Sequence, residues 1–191
     1  MIVHVLGNGP SIRCFETTLF HKQPEGGIRI GCNWGHPHLS CEFTTCDKLF
    51  IWNLCEQQID FPTPIVCKRH QLEEIKAISQ YPQHLLKLKF KLAPLSVLAL
   101  AKDGFSSGHL AAACSCVWHQ PKTMHLWGID RLWTNNTTSI YDSPLTHKAI
   151  YHHWWKDHWI KIFTTYSKTQ FVIHAPTPIE NLPKNVVTEM L

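Results

Sequence analysis

Charge is scarce in this sequence. Asp, Glu, Lys and Arg make up 17% of its 191 residues, against about 25% in an ordinary soluble chain. Apolar side chains fill the difference at 44%, which excludes a low-hydrophobicity disordered chain. No stretch gathers Lys and Arg into the footprint that nucleic acid needs. The densest run, Lys87-Leu88-Lys89-Phe90-Lys91, alternates as a strand or a solvated helix end does. Long apolar runs are missing as well: the longest, residues 95–101, is interrupted by Ser96 and is far too short to span a membrane. No charged segment with a long apolar stretch behind it leads to a cleavage site, so secretion is not indicated and a cytoplasmic location is expected.

The eight cysteines include no Cys-x-x-Cys pair and no local nucleophile signature, so reduced thiols without catalytic work are expected. His36-Pro37-His38 stands near Cys41 and Cys46 and offers imidazole and thiolate donors. The spacing matches no standard zinc site, and no metal ligand is assigned. Residues 135–138, Asn-Asn-Thr-Thr, read as a polar turn rather than a glycan acceptor. The formal charge of +4, with 14 histidines able to add to it in acid, predicts a weakly basic, pH-sensitive surface suited to an anionic ligand.

One α/β domain over residues 1–191 is expected. Residues 2–6 form a short apolar run stopped by Gly-Asn-Gly-Pro, the punctuation of a buried strand entering a tight turn. Ser11 is placed to cap a helix carrying Ile12 and Phe15. Residues 28–32 predict a second strand ending at Asn33, residues 48–52 a third ending at Asn53, and residues 64–67 a fourth. Helical spacing follows over residues 70–79, and residues 85–100 are ambiguous. Ser106-Ser107-Gly108 opens a small-residue helix over 110–117, and a strand over 124–127 closes at Gly128-Ile129-Asp130. Residues 131–146 predict a functional lid loop. Ala149, Ile150, Trp154, Trp155, Ile160 and Ile162 predict an amphipathic helix, before a last strand over 170–174. Tyr151, Trp154, Trp155 and Trp159 read as core packing or a contact between copies in a homo-oligomer, more than as a stacking platform. The alternation predicts a Rossmann-like, three-layer, mostly parallel sheet with helices on both faces.

The turn Gly7-Asn8-Gly9-Pro10-Ser11 carries the most chemical information. Glycines let backbone approach a ligand, and a helix N-terminus offers N–H groups to phosphate. It is neither a Walker A loop nor Gly-x-Gly-x-x-Gly. Asn33 and Asn53 are expected at carboxyl ends of strands, where open α/β sheets bind ligands. Ser106, Ser107 and Gly108 offer a second helix N-terminus to phosphate or carboxylate.

These motifs, in this order, resemble the bacterial lipooligosaccharide sialyltransferases that use CMP-sialic acid. The likeness rests on Gly7 to Ser11, Cys32-Asn33, Ser106-Ser107-Gly108 and Gly128-Ile129-Asp130. It implies a GT-A-like fold and a glycosyltransferase, independent of any metal or other cofactor, moving a sugar from a nucleotide-sugar donor, CMP-linked in preference, to a glycan or other hydroxyl acceptor. Donor binding falls to Gly7, Asn8, Gly9, Pro10, Ser11, Asn33, Asn53, Ser107, Gly108, Gly128, Asp130 and Tyr141. The resemblance also implies a histidine base after Gly-Ile-Asp. The family's longer lid, with its own histidine motif, has no counterpart in residues 131–146. His147 is the first candidate, ahead of His152 and His153. Two alternatives stay open. A non-catalytic binder of nucleotides or nucleotide sugars would keep the same turn, and a resemblance to archaeal pterin pyrophosphokinases would add Mg²⁺ held by carboxylates among Asp47, Asp130 and Asp142.

Overall fold

A computed structural model describes residues 1–13, 15, 27–33, 40–80, 82–101, 104–130 and 154–191. Eight strands form one sheet in the order β5-β4-β3-β2-β1-β6-β7-β8, and every pairing in it is parallel. They are β1 (Ile2–Leu6), β2 (Ile28–Cys32), β3 (Phe43–Thr45), β4 (Ile65–Cys67), β5 (Phe90–Leu92), β6 (Thr123–Trp127), β7 (Gln170–Ala175) and β8 (Val186–Met190). The helices among the described residues are α1 (Lys48–Glu56), α2 (Arg69–Ile78), α3 (Pro82–Leu85), α4 (Leu95–Ala101), α5 (Ser107–His119) and α6 (Trp154–Thr165). This is the α/β, Rossmann-like arrangement that the alternation of elements predicts.

Side chains alternate across the sheet with period 2. Val3, Val5, Met124, Leu126, Phe171 and Ile173 are buried against α4, α5 and α6. Ile65 and Cys67 turn to the other face and pack with Phe50, Ile51 and Leu54 of α1 and Ile75 of α2. A third cluster on that second face joins Leu6 and Trp127 to Ile12 and Phe15. The small side chains of α5 allow it to lie close on the strands: Ala111, Ala112, Ala113 and Cys114 are completely buried.

Two elements differ from expectation, and one ambiguous segment is resolved. Residues 48–52 are helix, not strand, so Asn53 lies inside α1 and not at a strand end. A five-residue apolar run cannot by itself separate the two states. Here Asp47 accepts a hydrogen bond from the Phe50 backbone N–H, and Phe50, Ile51, Leu54 and Cys55 share one buried face at helical spacing. The third strand is instead the short β3, just upstream. The ambiguous segment 85–100 resolves into β5 between α3 and α4. Residues 170–175 are not the last strand, since β8 pairs with β7 along the sheet edge.

Among the described residues no helix is long and apolar enough to cross a membrane.

Candidate functional site

The chain enters at the centre of the sheet, moves outward through β2 to β5, and returns by α5 to lay β6 on the other side of β1. The carboxyl ends of β1 and β6 therefore flank the point where chain direction reverses, the usual place for a ligand crevice in such sheets. Two predicted motifs meet there. Gly7 N donates to Trp127 O at 2.7 Å and Gly9 N to Gly128 O at 2.9 Å. This contact explains the glycines. A Cβ on Gly7 would overlap Gly128 O, one on Gly9 would lie 2.5 Å from Asp130 Cγ, and Gly128 itself sits at φ +62°.

Beyond Gly9 the backbone begins a helical turn whose first N–H groups already have acceptors. Ile12 N donates to Gly9 O at 3.0 Å and Arg13 N to Pro10 O at 3.3 Å. Ser11 N donates to Asp130 Oδ2 at 3.0 Å, and Ser11 Oγ donates to Asp130 Oδ1. The carboxylate thus takes the position at the helix start that an anion would take. Burial pushes the Asp130 carboxyl above its usual range, while the two donors of Ser11 pull it back. The side chain of Asn8 differs from these. Its Oδ1 is buried with no hydrogen-bond partner among the described residues.

Asn33 closes β2 in the left-handed region, φ 53°, which asparagine tolerates better than most residues. Both polar atoms of its side chain are engaged. Nδ2 donates to Asp47 Oδ2 at 3.0 Å, and Oδ1 accepts from Asp47 N at 3.2 Å and Ser107 Oγ at 3.2 Å. Thr45 Oγ1 donates to Ser107 O at 2.7 Å. Asn33, Asp47 and Ser107 therefore knot the ends of β2 and β3 to the first turns of α1 and α5. Gly108 is small for packing, because a Cβ there would stand 3.2 Å from Ile129 Cδ1. No family model, curated protein or solved structure matches this chain.

The structure brings Gly7, Asn8, Gly9, Pro10, Ser11, Gly128 and Asp130 together at the carboxyl ends of β1 and β6, and joins Asn33 to Ser107. Asn53 does not join them. Tyr141, Asp142, His147, His152 and His153 lie outside the described residues, as do the lid at 131–146 and His36 and His38. Asp47, offered as a possible metal carboxylate, caps α1 and accepts from Asn33.

The seven described cysteines are unpaired, and burial raises every thiol: Cys32, Cys114 and Cys116 to about 12, Cys41 and Cys67 to about 11, and Cys46 and Cys55 likewise upward. Thiolate chemistry is disfavoured at all of them. Trp159, drawn from the aromatic stripe, is buried against His109 and Phe163.

Two arrangements had no place in the sequence reading. His109 Nδ1 accepts from Ser106 N at 3.2 Å and lies 2.7 Å from Ser106 Oγ. A backbone N–H only donates, so that nitrogen is unprotonated and Ser106 Oγ donates to it as well. A capping residue three positions before a side-chain acceptor is the available signal, with His in place of Glu. The second arrangement is a row of histidines, His4, His125 and His174, on neighbouring strands. Each lies on the same strand face by alternation, but only the strand order makes them neighbours.

Proposed function

We propose that the chain transfers a sugar from a nucleotide-linked donor, CMP-linked in preference, bound in the crevice between β1 and β6. The observation that carries the reading is the buried, unpaired Oδ1 of Asn8 in the turn that enters the crevice. An orphaned buried acceptor costs about 1–3 kcal/mol, and a ligand N–H or O–H offsets that cost on binding. This acceptor is the turn's open polar atom, because the first N–H groups of the helical turn behind it already donate to Asp130, Gly9 O and Pro10 O. It therefore suits the donor-rich part of a nucleotide, the ribose hydroxyls or a base amino group such as that of cytosine, better than a phosphate. Transfer to a hydroxyl acceptor, with His147 as base, follows from the motif resemblance, and an imidazole titrating near neutrality suits proton abstraction from a hydroxyl.

The test is calorimetric titration with CMP, CDP, UDP, GDP and ATP, with and without Mg²⁺, on the native chain and on Asn8→Ala. Metal-independent CMP binding, weakened by about 1–3 kcal/mol in Asn8→Ala, is the expected result. Binding of ATP only with Mg²⁺ would move the reading to pyrophosphoryl transfer, and absence of binding would make the turn structural. CMP-sugar turnover with an acceptor separates an enzyme from a binder.

A further inference from the structure

The face of the sheet that carries Leu6 and Trp127 continues, across β1, β6, β7 and β8, into a group of side chains with no part in the crevice. His4 lies directly across from His125 in the β1–β6 register, and His174 directly across from Glu189 in the β7–β8 register. His125 Nδ1 and His174 Nε2 are 2.9 Å apart, and His174 Nδ1 is 3.7 Å from Glu189 Oε2. We propose that His125, His174 and Glu189 form a binding site for one divalent transition-metal ion of the zinc or cobalt class.

The donor set is the first argument. Two imidazoles and a carboxylate are a common catalytic or regulatory set for such ions, and leave room in the coordination sphere for water or a ligand. Geometry is the second. Each residue offers one ligand atom, and the three atoms lie within 4.8 Å of one another. With metal–nitrogen bonds of about 2.0–2.1 Å, neighbouring ligand atoms stand about 2.9–3.4 Å apart at octahedral or tetrahedral angles. The two histidine nitrogens are already at that separation. Glu189 Oε2 stands 3.7 Å from Nδ1, the other ring nitrogen of His174, and with 61% of its side chain exposed it would turn toward the His125 Nδ1–His174 Nε2 pair to complete the site.

Preorganisation is the third argument. The His174 ring stacks on Trp127 with centroids 3.4 Å apart and planes 5° from parallel. Trp127 Nε1 donates to His4 Nδ1 at 3.2 Å, and His4 stacks on His125 at 5.0 Å. Both imidazoles are thus oriented by rigid strands and by neighbouring rings, the support that metal-ligating histidines need. His4 itself is not a ligand, because its Nδ1 is occupied by the indole and its Nε2 packs against Gly27. The partly buried His125 and exposed Glu189 leave a path for the ion. The sequence offered no such set, since these residues are 49 positions apart at the closest pair of histidines.

The experiment strips the purified full chain with chelator and titrates it with Co²⁺, reading ligand-field absorption, and with Zn²⁺ by calorimetry. We expect one saturable site without a thiolate-to-cobalt charge-transfer band. Glu189→Gln should weaken binding about tenfold or more, and His125→Asn should abolish the Co²⁺ spectrum. Circular dichroism of both variants checks that they fold, and Glu189→Gln, at an exposed position, keeps the test decisive if His125→Asn does not. Absence of saturable binding, a thiolate charge-transfer band, or affinity unchanged in Glu189→Gln would each overturn the site. None of these readings depends on nucleotide binding.

Discussion

Ser11 and Asp130, 119 positions apart, are joined by two hydrogen bonds, one from the Ser11 backbone N–H and one from its hydroxyl. The bond pair fastens the turn after β1 to the turn after β6. Asp130→Ala leaves both donors without an acceptor and should cost about 2–3 kcal/mol. Asp130→Asn keeps one acceptor and removes a buried charge, so it should cost less. Urea midpoints of the two variants check the order.

Gly9→Ala tests the packing of the two turns. A methyl at Gly9 would meet Asp130 Cγ at 2.5 Å and Gly128 O at 2.8 Å, neither of which can move without breaking the hydrogen bonds just described. Overpacking of this kind should destabilise the chain by about 3 kcal/mol. A thermal midpoint unchanged from the native chain would show that the turns do not pack as described.

Asn8 and Asn33 look equivalent in the sequence and should behave oppositely. Asn33→Ala removes three side-chain hydrogen bonds and leaves a left-handed backbone without the residue type that tolerates it, at a cost of about 2–4 kcal/mol. Asn8→Ala removes an orphaned buried acceptor and should leave the fold at least as stable, with a gain of up to about 1–3 kcal/mol. Its effect should fall on ligand affinity. Parallel denaturation and nucleotide titration of both variants separate a structural asparagine from a binding one.

His4 gives the fold a dependence on pH. Burial, with His125 and Arg29 adding repulsion, depresses its imidazole to about 4 from an ordinary 6.5. The unfolded chain therefore binds this proton more readily than the folded one between those values, and stability falls as pH drops through that window. At pH 5 the loss from His4 alone should be about 2 kcal/mol relative to pH 8. His174, depressed to about 3 by burial and by its histidine neighbours, adds to it in the same direction. His4→Asn keeps an acceptor for the Trp127 indole and should flatten the stability profile between pH 5 and 7.

Much of the architecture was legible from local signals. The strands before Gly7, Asn33 and Gly128, and the helix opened by Ser106, have apolar runs bounded by residues whose conformational needs are local. Their alternation is enough to specify a parallel sheet, because parallel neighbours require crossovers. Residues 48–52 failed for the same reason: a short apolar run carries no period, and the Asp47 cap decided in favour of helix.

What tertiary structure alone decided concerns partners. The glycines of the first turn could be read as room for a ligand, but the sheet supplies another turn to fill that room. Ser11 could be read as a helix cap open to phosphate, but Asp130 reaches it through the β1–β6 register. The histidines at 4, 125 and 174 have no pattern along the chain and become one cluster only when β6 is laid between β1 and β7. Conformational preference is written in a few consecutive residues, whereas the pairing of distant hydrogen-bonding and ligating groups is set by strand order, which no local stretch encodes.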